Sequence, residues 1–388
     1  MISVSEALDR LFALVSPLEI EEIPLIEAGG RVLARTVSAR RDQPPFASSA
    51  MDGYGVADAA PGMRFRVIGE SAAGARFDGK VRAGEAVRIF TGAPVPEGVK
   101  TVVIQEDVDR FEDEIVITDR LGKGDNIRPF GADFRVGEQV QAPRRLTPED
   151  IALLSSMNIS RVPVTRRPRV ALISTGDELV MPGETPGPDQ IIASNTLGLH
   201  AMLRDLGADP RLLPIARDTE SALRTVLALV DDADLVITVG GASVGDHDLV
   251  AKVVADLGIT RAFHKVAMRP GKPLMSGKLG SAMMMGLPGN PVSAMVCGHL
   301  FMAPVIRAML GLPAEAAPRQ RAPLAIDVAE NGPREHYMRA RILPEGLRPF
   351  ERQDSALLSV LGQADALVVR PPFDPARKTG ETVEFVPL

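Results

Sequence analysis

A glycine-rich turn that also carries acidic residues is the first chemically informative stretch of the chain. Residues 237–248 read ITVGGASVGDHD and end in two carboxylates, Asp246 and Asp248. Glycine turns that follow an apolar strand commonly bind phosphate through backbone N–H groups. Bare carboxylates at close range would repel that phosphate by several kcal/mol. The turn therefore predicts a phosphate site that needs a positive charge from elsewhere.

Two other loops have the same character. STGDEL (174–179) follows the apolar run VALI, and LPGNPVSA (287–294) follows MMMG. In a doubly wound sheet such loops lie at the carboxyl ends of strands and converge on one crevice. The polar and glycine positions predicted to bind substrate in the three loops are Ser174, Thr175, Gly176, Gly240, Gly241, Ser243, Gly245, Gly289 and Asn290.

Acidic residues accompany these loops and predict a divalent cation. Mg²⁺ prefers one or two carboxylates, several waters and substrate phosphate oxygens. Individually the acids have simpler explanations: Asp218 precedes Thr219 and a helix as an N-cap would, Glu178 is a surface acid, and Asp246 or Asp248 caps a helix beginning near His247. As a set beside three glycine loops they favour a metal site. The predicted metal ligands are Glu178, Asp218, Asp246 and Asp248.

A basic turn lies between the second and third loops. In MRPGKP, Arg269 and Lys272 flank Pro270 and Gly271. Two cations on a rigid turn suit a second oxyanion beside the metal-held phosphate. A solvated basic turn is the alternative, and this motif alone does not choose between them.

Composition limits the classes of protein to which the chain can belong. Its 388 residues predict two to four domains. A net charge of −6 argues against binding of nucleic acid or anionic membranes through overall charge. One cysteine, Cys297, excludes an internal disulfide framework and fits a reducing cytosol. The first residues lack the basic and apolar pattern of an export signal, so a cytoplasmic location is expected.

Hydrophobic patterning predicts a multidomain protein with α/β and all-β parts. Thr147-Pro148-Glu149-Asp150 predicts a helix start, and short β-branched runs fill the region from about 40 to 130. From 169 onward apolar runs alternate with amphipathic helices, which indicates a mainly parallel, doubly wound sheet. The predicted domains are a discontinuous helical domain (1–41 and 132–168), an inserted β domain (42–131), an α/β domain (169–313) and a carboxyl-terminal β-barrel-like domain (314–388).

One uncharged segment, residues 279–306, is long enough to resemble a membrane span. Its centre reads Pro288-Gly289-Asn290-Pro291, which would interrupt the backbone hydrogen bonds needed in lipid. We therefore predict a buried strand, a tight loop and a buried helix.

Seven motifs in one order resemble the molybdopterin molybdenumtransferases of the MoeA and gephyrin E-domain type. They cover nearly the whole chain: PPFASSAMDGYGV (44–56), IFTGAPVPEG (89–98), DNIRPFGADF (125–134), STGDEL, GGASVGDHD, MRPGKP and GLPGNPVSA. Such proteins are L-shaped homodimers with an active site between subunits. The resemblance implies insertion of molybdate into adenylylated molybdopterin, with Mg²⁺ required and AMP released. It also implies an upstream molybdopterin adenylyltransferase and downstream molybdoenzymes or their chaperones.

The resemblance also assigns roles to individual residues. The implied catalytic positions are Asp52, Thr91, Asp133, Glu178, Asp218 and Asp248. Arg339 of REHYMRARI is implied to join Arg269 and Lys272 at molybdate, and Pro288, Pro291 and Ser359 are implied substrate positions. Taken alone, Asp52 is a turn residue, Thr91 a strand end and Asp133 a cap. The chain departs from the family at Ser48 and at residues 129–132, which leaves the contacts of Asp133 open.

Two other functions fit parts of the sequence. The α/β segment resembles a molybdopterin adenylyltransferase, although such enzymes have GGTG where this chain has Gly240-Gly241-Ala242-Ser243. A non-catalytic, gephyrin-like scaffold is the second alternative. The acid set together with the basic turn favours catalysis over a scaffold.

Overall fold

A computed structural model describes residues 1–240, 253, 256 and 260–388. Contacts divide the chain into two compact units. The first, called the α/β unit below, comprises residues 1–21, 30–34 and 164–388, and the second, the β unit, comprises 22–29 and 35–163. The strands Ile20–Pro24 and Arg161–Thr165 each contain a point where the chain passes between the units.

The α/β unit is built on a six-stranded sheet. Its first four strands run parallel. The fourth and fifth strands form an antiparallel hairpin in which Leu279 pairs with Ala282, and the sixth is an antiparallel edge strand. In sheet order the strands are Asp209–Leu212, Arg169–Ser174, Leu235–Val239, Ala282–Leu287, Met275–Leu279 and Thr260–Phe263.

Helices pack on both faces of this sheet, as the alternating pattern predicts. One face carries Val4–Phe12, Asn195–Asp205 and a helical segment from Pro291 to Met309. That segment consists of the α-helix Pro291–Cys297, the π-helical Gly298–Met302 and the α-helix Ala303–Met309. The opposite face carries Glu220–Leu227. The sheet therefore has a separate apolar core on each side.

By length and composition alone, the segment Pro291–Met309 could cross a membrane. Of its most apolar window, 78% is buried inside the protein. Its side chains fill the core beside the parallel strands. The predicted order of buried strand, tight loop and buried helix is therefore observed.

A second sheet in the α/β unit contains most of the carboxyl-terminal residues. Its edge strand Met268–Arg269 pairs in parallel with Glu335–Leu343, so the MRPGKP turn begins at the edge of this sheet. The remaining strands are Ala366–Arg370, Thr382–Pro387, Gln320–Pro323 and Gly346–Pro349. A single helical turn, Leu358–Leu361, lies in the chain between the strands Gly346–Pro349 and Ala366–Arg370.

The β unit contains a six-stranded sheet of its own. In sheet order its strands are Thr101–Ile104, Gly53–Val56, Glu85–Ile89, Arg64–Ser71, Glu114–Ile117 and Val108–Phe111. The predicted helix is present as Pro148–Ser156, where the Thr147 hydroxyl and the Asp150 carboxylate form a reciprocal capping box. Single 3₁₀ turns occupy Leu25–Glu27 and Gln105–Asp107.

Several two-residue strands complete the described structure: Val32–Leu33, Val37–Ser38, Ser48–Ser49, Ile127–Arg128, Gln139–Val140, Arg144–Arg145, Leu179–Val180 and Ile191–Ile192. The apolar run RLLPIA (211–216) predicts a strand that the structure places elsewhere. The structure has Asp209–Leu212 instead, because Pro214 lacks the N–H that would continue strand pairing.

Candidate active site

The strand-end loops of the α/β unit meet along one edge of the sheet. The Thr175 amide donates to the Val239 carbonyl at 3.0 Å, and the Gly240 amide donates to the Leu287 carbonyl at 3.2 Å. Their parent strands are neighbours in the sheet. The described parts of the three glycine-rich loops therefore lie together at the edge of the sheet where the crevice was predicted.

Gly240 allows this close approach because it has no side chain. A methyl group there would lie 2.6 Å from the Thr175 carbonyl oxygen, and the backbone φ of +97° favours glycine. A methyl group on Gly289 would lie 3.5 Å from the Gly240 Cα atom. Thr175, Gly240 and Gly289 are thus packed backbone against backbone.

Glu178 and Asp218 lie on adjacent segments beside this edge. The Gly176 amide donates to the Ala216 carbonyl at 3.1 Å, and the Asp218 amide donates to Asp177 Oδ1 at 3.1 Å. Glu178 folds back over Gly176, since a methyl group there would lie 2.7 Å from the Glu178 carboxyl carbon. Both carboxylates are exposed, and neither forms an ion pair with another described residue.

The N-cap explanation of Asp218 is wrong. Thr219 is the residue that caps Glu220–Leu227, because its hydroxyl accepts the Ala222 amide at 3.2 Å. Asp218 precedes the cap, and its side chain is not used to satisfy the helix end. This leaves its carboxylate oxygens as donors of the kind that Mg²⁺ prefers.

Two hydroxyls in the first loop are used inside the protein. Ser174 Oγ lies 3.1 Å from Thr196 Oγ1, and both residues are buried. Thr175 is also buried, with its hydroxyl 3.5 Å from the Val239 carbonyl. These side chains support the loop from inside, Gly176 is also buried, and the exposed part of the loop begins at Asp177 and Glu178.

The Pro-Gly-Asn-Pro loop is held from two sides. Asn195 Nδ2 donates to the Gly289 carbonyl at 2.7 Å. Asn290 Nδ2 donates to Ser355 Oγ at 3.1 Å, and the Val292 amide donates to the Ser355 carbonyl at 3.0 Å. Pro288 is buried, and Pro291 begins the helix. The two prolines therefore fix a loop that polar contacts anchor to the carboxyl-terminal region.

The basic turn begins beside a buried histidine. Arg269 is exposed and pairs with His336 across the sheet edge, while Lys272 is half-buried. Burial, together with the nearby guanidinium groups of Arg269 and Arg339, lowers the pKa of His336 to about 3. The histidine is therefore neutral at physiological pH, and the positive charge in this region comes from the arginines and Lys272.

Arg339 is buried beside the same turn. Burial and Arg269 hold the pKa of Arg339 below its ordinary value, although Asp354 acts in the opposite direction. Its guanidinium donates to the side chain of Gln353 and to the carbonyl of Asp354. Ser359 is exposed in the one-turn helix, and its carbonyl accepts the Gln363 side chain at 2.9 Å.

The β unit joins two of the three positions assigned to it. Asp52 Oδ1 accepts both the Thr91 amide at 2.7 Å and the Thr91 hydroxyl at 2.8 Å. These two bonds, with a smaller contribution from Arg88, hold the pKa of Asp52 below its usual value. Asp133 is exposed, and its amide donates to the Gln43 carbonyl at 2.9 Å. Asp52 and Thr91 thus form a fixed pair, and Asp133 makes no contact with that pair.

Part of the predicted site lies outside the described residues: Gly241, Ser243, Gly245, Asp246, His247 and Asp248, with the helix predicted to follow them. Within residues 1–240 and 260–388 no group of three acidic, histidine or cysteine side chains could hold a metal ion. Glu178 and Asp218 have exposed carboxylates of the kind that Mg²⁺ prefers, and they are the candidate ligands among the described residues.

Four residues that sequence reasoning did not select support the site. Asn195 and Ser355 anchor the Pro-Gly-Asn-Pro loop, Asp177 anchors the segment bearing Asp218, and Gln353 holds Arg339. All are polar residues in irregular or helix-start positions. Their spacing in the sequence carries no signal, because their partners are distant in the chain.

Comparison with models of known protein families identifies the class of protein to which this chain belongs. Residues 171–308, which contain the parallel sheet and its loops, match a probable molybdopterin binding domain. Residues 2–158 match the MoeA N-terminal region (domain I and II), and residues 321–388 match the MoeA C-terminal region (domain IV). The chain belongs to the MoeA family of molybdopterin molybdenumtransferases, as its seven motifs predicted.

Individual relatives are similar to this chain over most of their own length. The molybdopterin molybdenumtransferase of a Nostoc species is 35% identical across 100% of this chain and 94% of its own. That of Haemophilus influenzae is 37% identical across 80% of this chain and 78% of its own. A crystal structure of the molybdopterin biosynthesis moeA protein from Pyrococcus horikoshii superimposes with a TM-score of 0.85, at 27% identity and with 100% of both chains covered.

Proposed function

We propose that the protein is a molybdopterin molybdenumtransferase, which inserts molybdate into adenylylated molybdopterin and releases AMP. The observation that supports this most directly is the continuous set of contacts from Thr175 through Gly240 and the Pro-Gly-Asn-Pro loop to Ser355, next to the residues that hold Arg339. An acidic, glycine-rich end and a basic end therefore belong to one connected surface.

Each end has a role in the proposed reaction. Backbone amides and exposed glycines of the strand-end loops bind the phosphates, and Glu178 and Asp218, with Asp246 and Asp248, would hold Mg²⁺. A bound Mg²⁺ would supply charge neutralisation and Lewis-acid activation of the pyrophosphate. Arg269, Lys272 and Arg339 hold molybdate beside the dithiolene, and Ser359 contributes to the same region.

The proposed chemistry needs no protein nucleophile. Water cleaves the phosphoanhydride P–O bond to give AMP and molybdopterin, which keeps its own terminal phosphate. Two Mo–S bonds replace one Mo–O bond, and the departing oxygen leaves as water with the two dithiol protons. Molybdenum keeps its oxidation state. The residues of the chain bind, orient and neutralise charge in both steps.

The β unit has a proposed role through dimer formation. In a homodimer, Asp52, Thr91 and Asp133 would face the strand-end loops of the partner subunit and complete an intersubunit site. The bonded Asp52–Thr91 pair supports this, because it presents a preformed acceptor. We further propose an L-shaped dimer of four-domain subunits in the cytoplasm, receiving substrate from an adenylyltransferase and passing product to molybdoenzymes or their chaperones.

The decisive experiment is AMP release by purified protein. Adenylylated molybdopterin with Mg²⁺ should yield AMP and molybdenum cofactor when molybdate is added, and Asp218→Asn should lose this activity. ATP consumption with molybdopterin in the absence of molybdate would instead identify an adenylyltransferase. No turnover with either substrate, despite binding of partner proteins, would favour the scaffold.

A further inference from the structure

The α/β unit contains two arginines that are almost fully buried but differently neutralised. Arg339 and Arg370 are each 1% exposed. Arg370 forms an ion pair with the buried carboxylate of Asp374. Arg339 forms no ion pair with any residue in the described part of the chain. Because burial of an unpaired cation is costly, this difference requires an explanation.

The groups that hold Arg339 are uncharged. Gln353 Oε1 accepts Arg339 Nε at 3.1 Å and Nη2 at 3.0 Å, and the Asp354 backbone carbonyl accepts Nη1 at 2.7 Å. The Asp354 carboxylate is exposed and accepts the Ala356 amide at 2.8 Å. The orientation of the guanidinium is therefore fixed by dipoles, and its charge is not cancelled.

Gln353 is itself held firmly. Its Nε2 donates to the Arg339 carbonyl at 2.9 Å and to the Phe350 carbonyl at 2.8 Å, while Oε1 also accepts the Arg339 amide at 3.0 Å. A glutamate of the same length would reach and neutralise the guanidinium, but it could not donate to the Arg339 and Phe350 carbonyls as the amide does. An amide at this position therefore keeps both the geometry and the positive charge.

We propose that Gln353 is a positioning and specificity-determining residue, which orients Arg339 while leaving its charge for an oxyanion. The inference rests on the proposed function and adds to it a residue that does not touch molybdate. Three of the five guanidinium N–H groups are used by Gln353 and Asp354, so two remain for the ligand. Exposed Arg269 supplies a second charge nearby.

The test compares Gln353→Glu with Gln353→Met in the full-length protein. Molybdate binding is measured by ultrafiltration and molybdenum quantification, and stability by thermal unfolding. We expect Gln353→Glu to bind molybdate at least about tenfold more weakly than the wild type, because a carboxylate cancels the Arg339 charge. Gln353→Met should show a smaller loss of binding. Both variants lose the Nε2 donations to the Arg339 and Phe350 carbonyls, so binding is compared well below the unfolding temperature of each variant.

The ranking of the two folded variants in molybdate binding separates this role from a structural one. If Gln353 only supports the fold, Gln353→Glu would bind molybdate at least as well as Gln353→Met, and that result would overturn the inference. Gln320→Glu, at an exposed glutamine of the same sheet, adds the same charge and should bind like the wild type. Wild-type protein that binds no molybdate would refute the proposed function itself; wild-type binding with the other ranking would refute only the role of Gln353.

Discussion

Replacing Gly240 with alanine tests whether the strand-end loops pack together as described. Gly240 has a φ of +97°, and Gly183 has a φ of +96°. A methyl group at Gly183 would meet no atom within 4 Å, whereas one at Gly240 would lie 2.6 Å from the Thr175 carbonyl oxygen. The two substitutions thus share the conformational cost and differ in the steric one.

The expected magnitudes follow from these two contributions. The left-handed conformation costs alanine about 1–2 kcal/mol at either position. The overlap with backbone at Gly240 adds about 1–3 kcal/mol, because the Thr175 loop must move. Gly240→Ala should therefore destabilise the α/β unit by about 2–5 kcal/mol, against about 1–2 kcal/mol for Gly183→Ala.

Tyrosine fluorescence during urea denaturation measures the difference in stability between the two variants within the α/β unit. The chain has two tyrosines and no tryptophan. In a Tyr54→Phe background the remaining reporter is Tyr337, which is 1% exposed within the α/β unit. Gly240→Ala should also lose molybdate-dependent AMP release, and Gly183→Ala should retain it. Equal destabilisation by the two substitutions would show that Thr175 and Gly240 are not in contact in solution.

Three further predictions concern stability. Thr147→Ala removes one half of the capping box and should destabilise the β unit by about 1 kcal/mol in denaturant unfolding, whereas an unchanged midpoint would exclude the cap. Asp374→Asn leaves buried Arg370 unpaired and should cost about 3–5 kcal/mol, and a loss below 1 kcal/mol would contradict the ion pair. The pKa of His336 is lowered to about 3 in the folded protein, so the unfolded chain binds this proton first as the pH falls below about 6.5. The free energy of unfolding should therefore decrease as the pH falls. His336→Gln should make that decrease smaller in denaturant unfolding measured between pH 7 and pH 4.

The fold was predictable where local pattern and packing agree. The parallel strands are short apolar runs, and Thr147 with Asp150 supplies a helix start that is visible in four consecutive residues. The strand Asp209–Leu212 begins and ends earlier than the run RLLPIA predicts. The Asp209 amide bonds to the Pro168 carbonyl at its start, and Pro214, which has no N–H, follows its end. The alternative capping role of Asp218 was wrong, because Thr219 caps the helix, and its role in the site stays a prediction.

The supporting contacts were not predictable, because they depend on residues far apart in the chain. Thr91 and Asp52 are 39 positions apart, and Asn290 and Ser355 are 65 apart. Nothing in the local sequence of Gln353 distinguishes it from a surface glutamine. Its role becomes visible only when the buried guanidinium of Arg339 is found without an acidic partner among the described residues.

The opposite charges at the two ends of the site follow from one electrostatic requirement. Substrate phosphates and molybdate are all anionic, so their approach to one another is unfavourable unless each is neutralised separately. In the proposed reaction, a divalent cation would bind with the phosphates at the exposed carboxylates of Glu178 and Asp218 and would leave with AMP. At the basic end the charge is built into Arg339 and maintained by the neutral amide of Gln353. A removable cation on one side and a permanent one on the other would allow AMP to leave while the metal oxyanion stays bound.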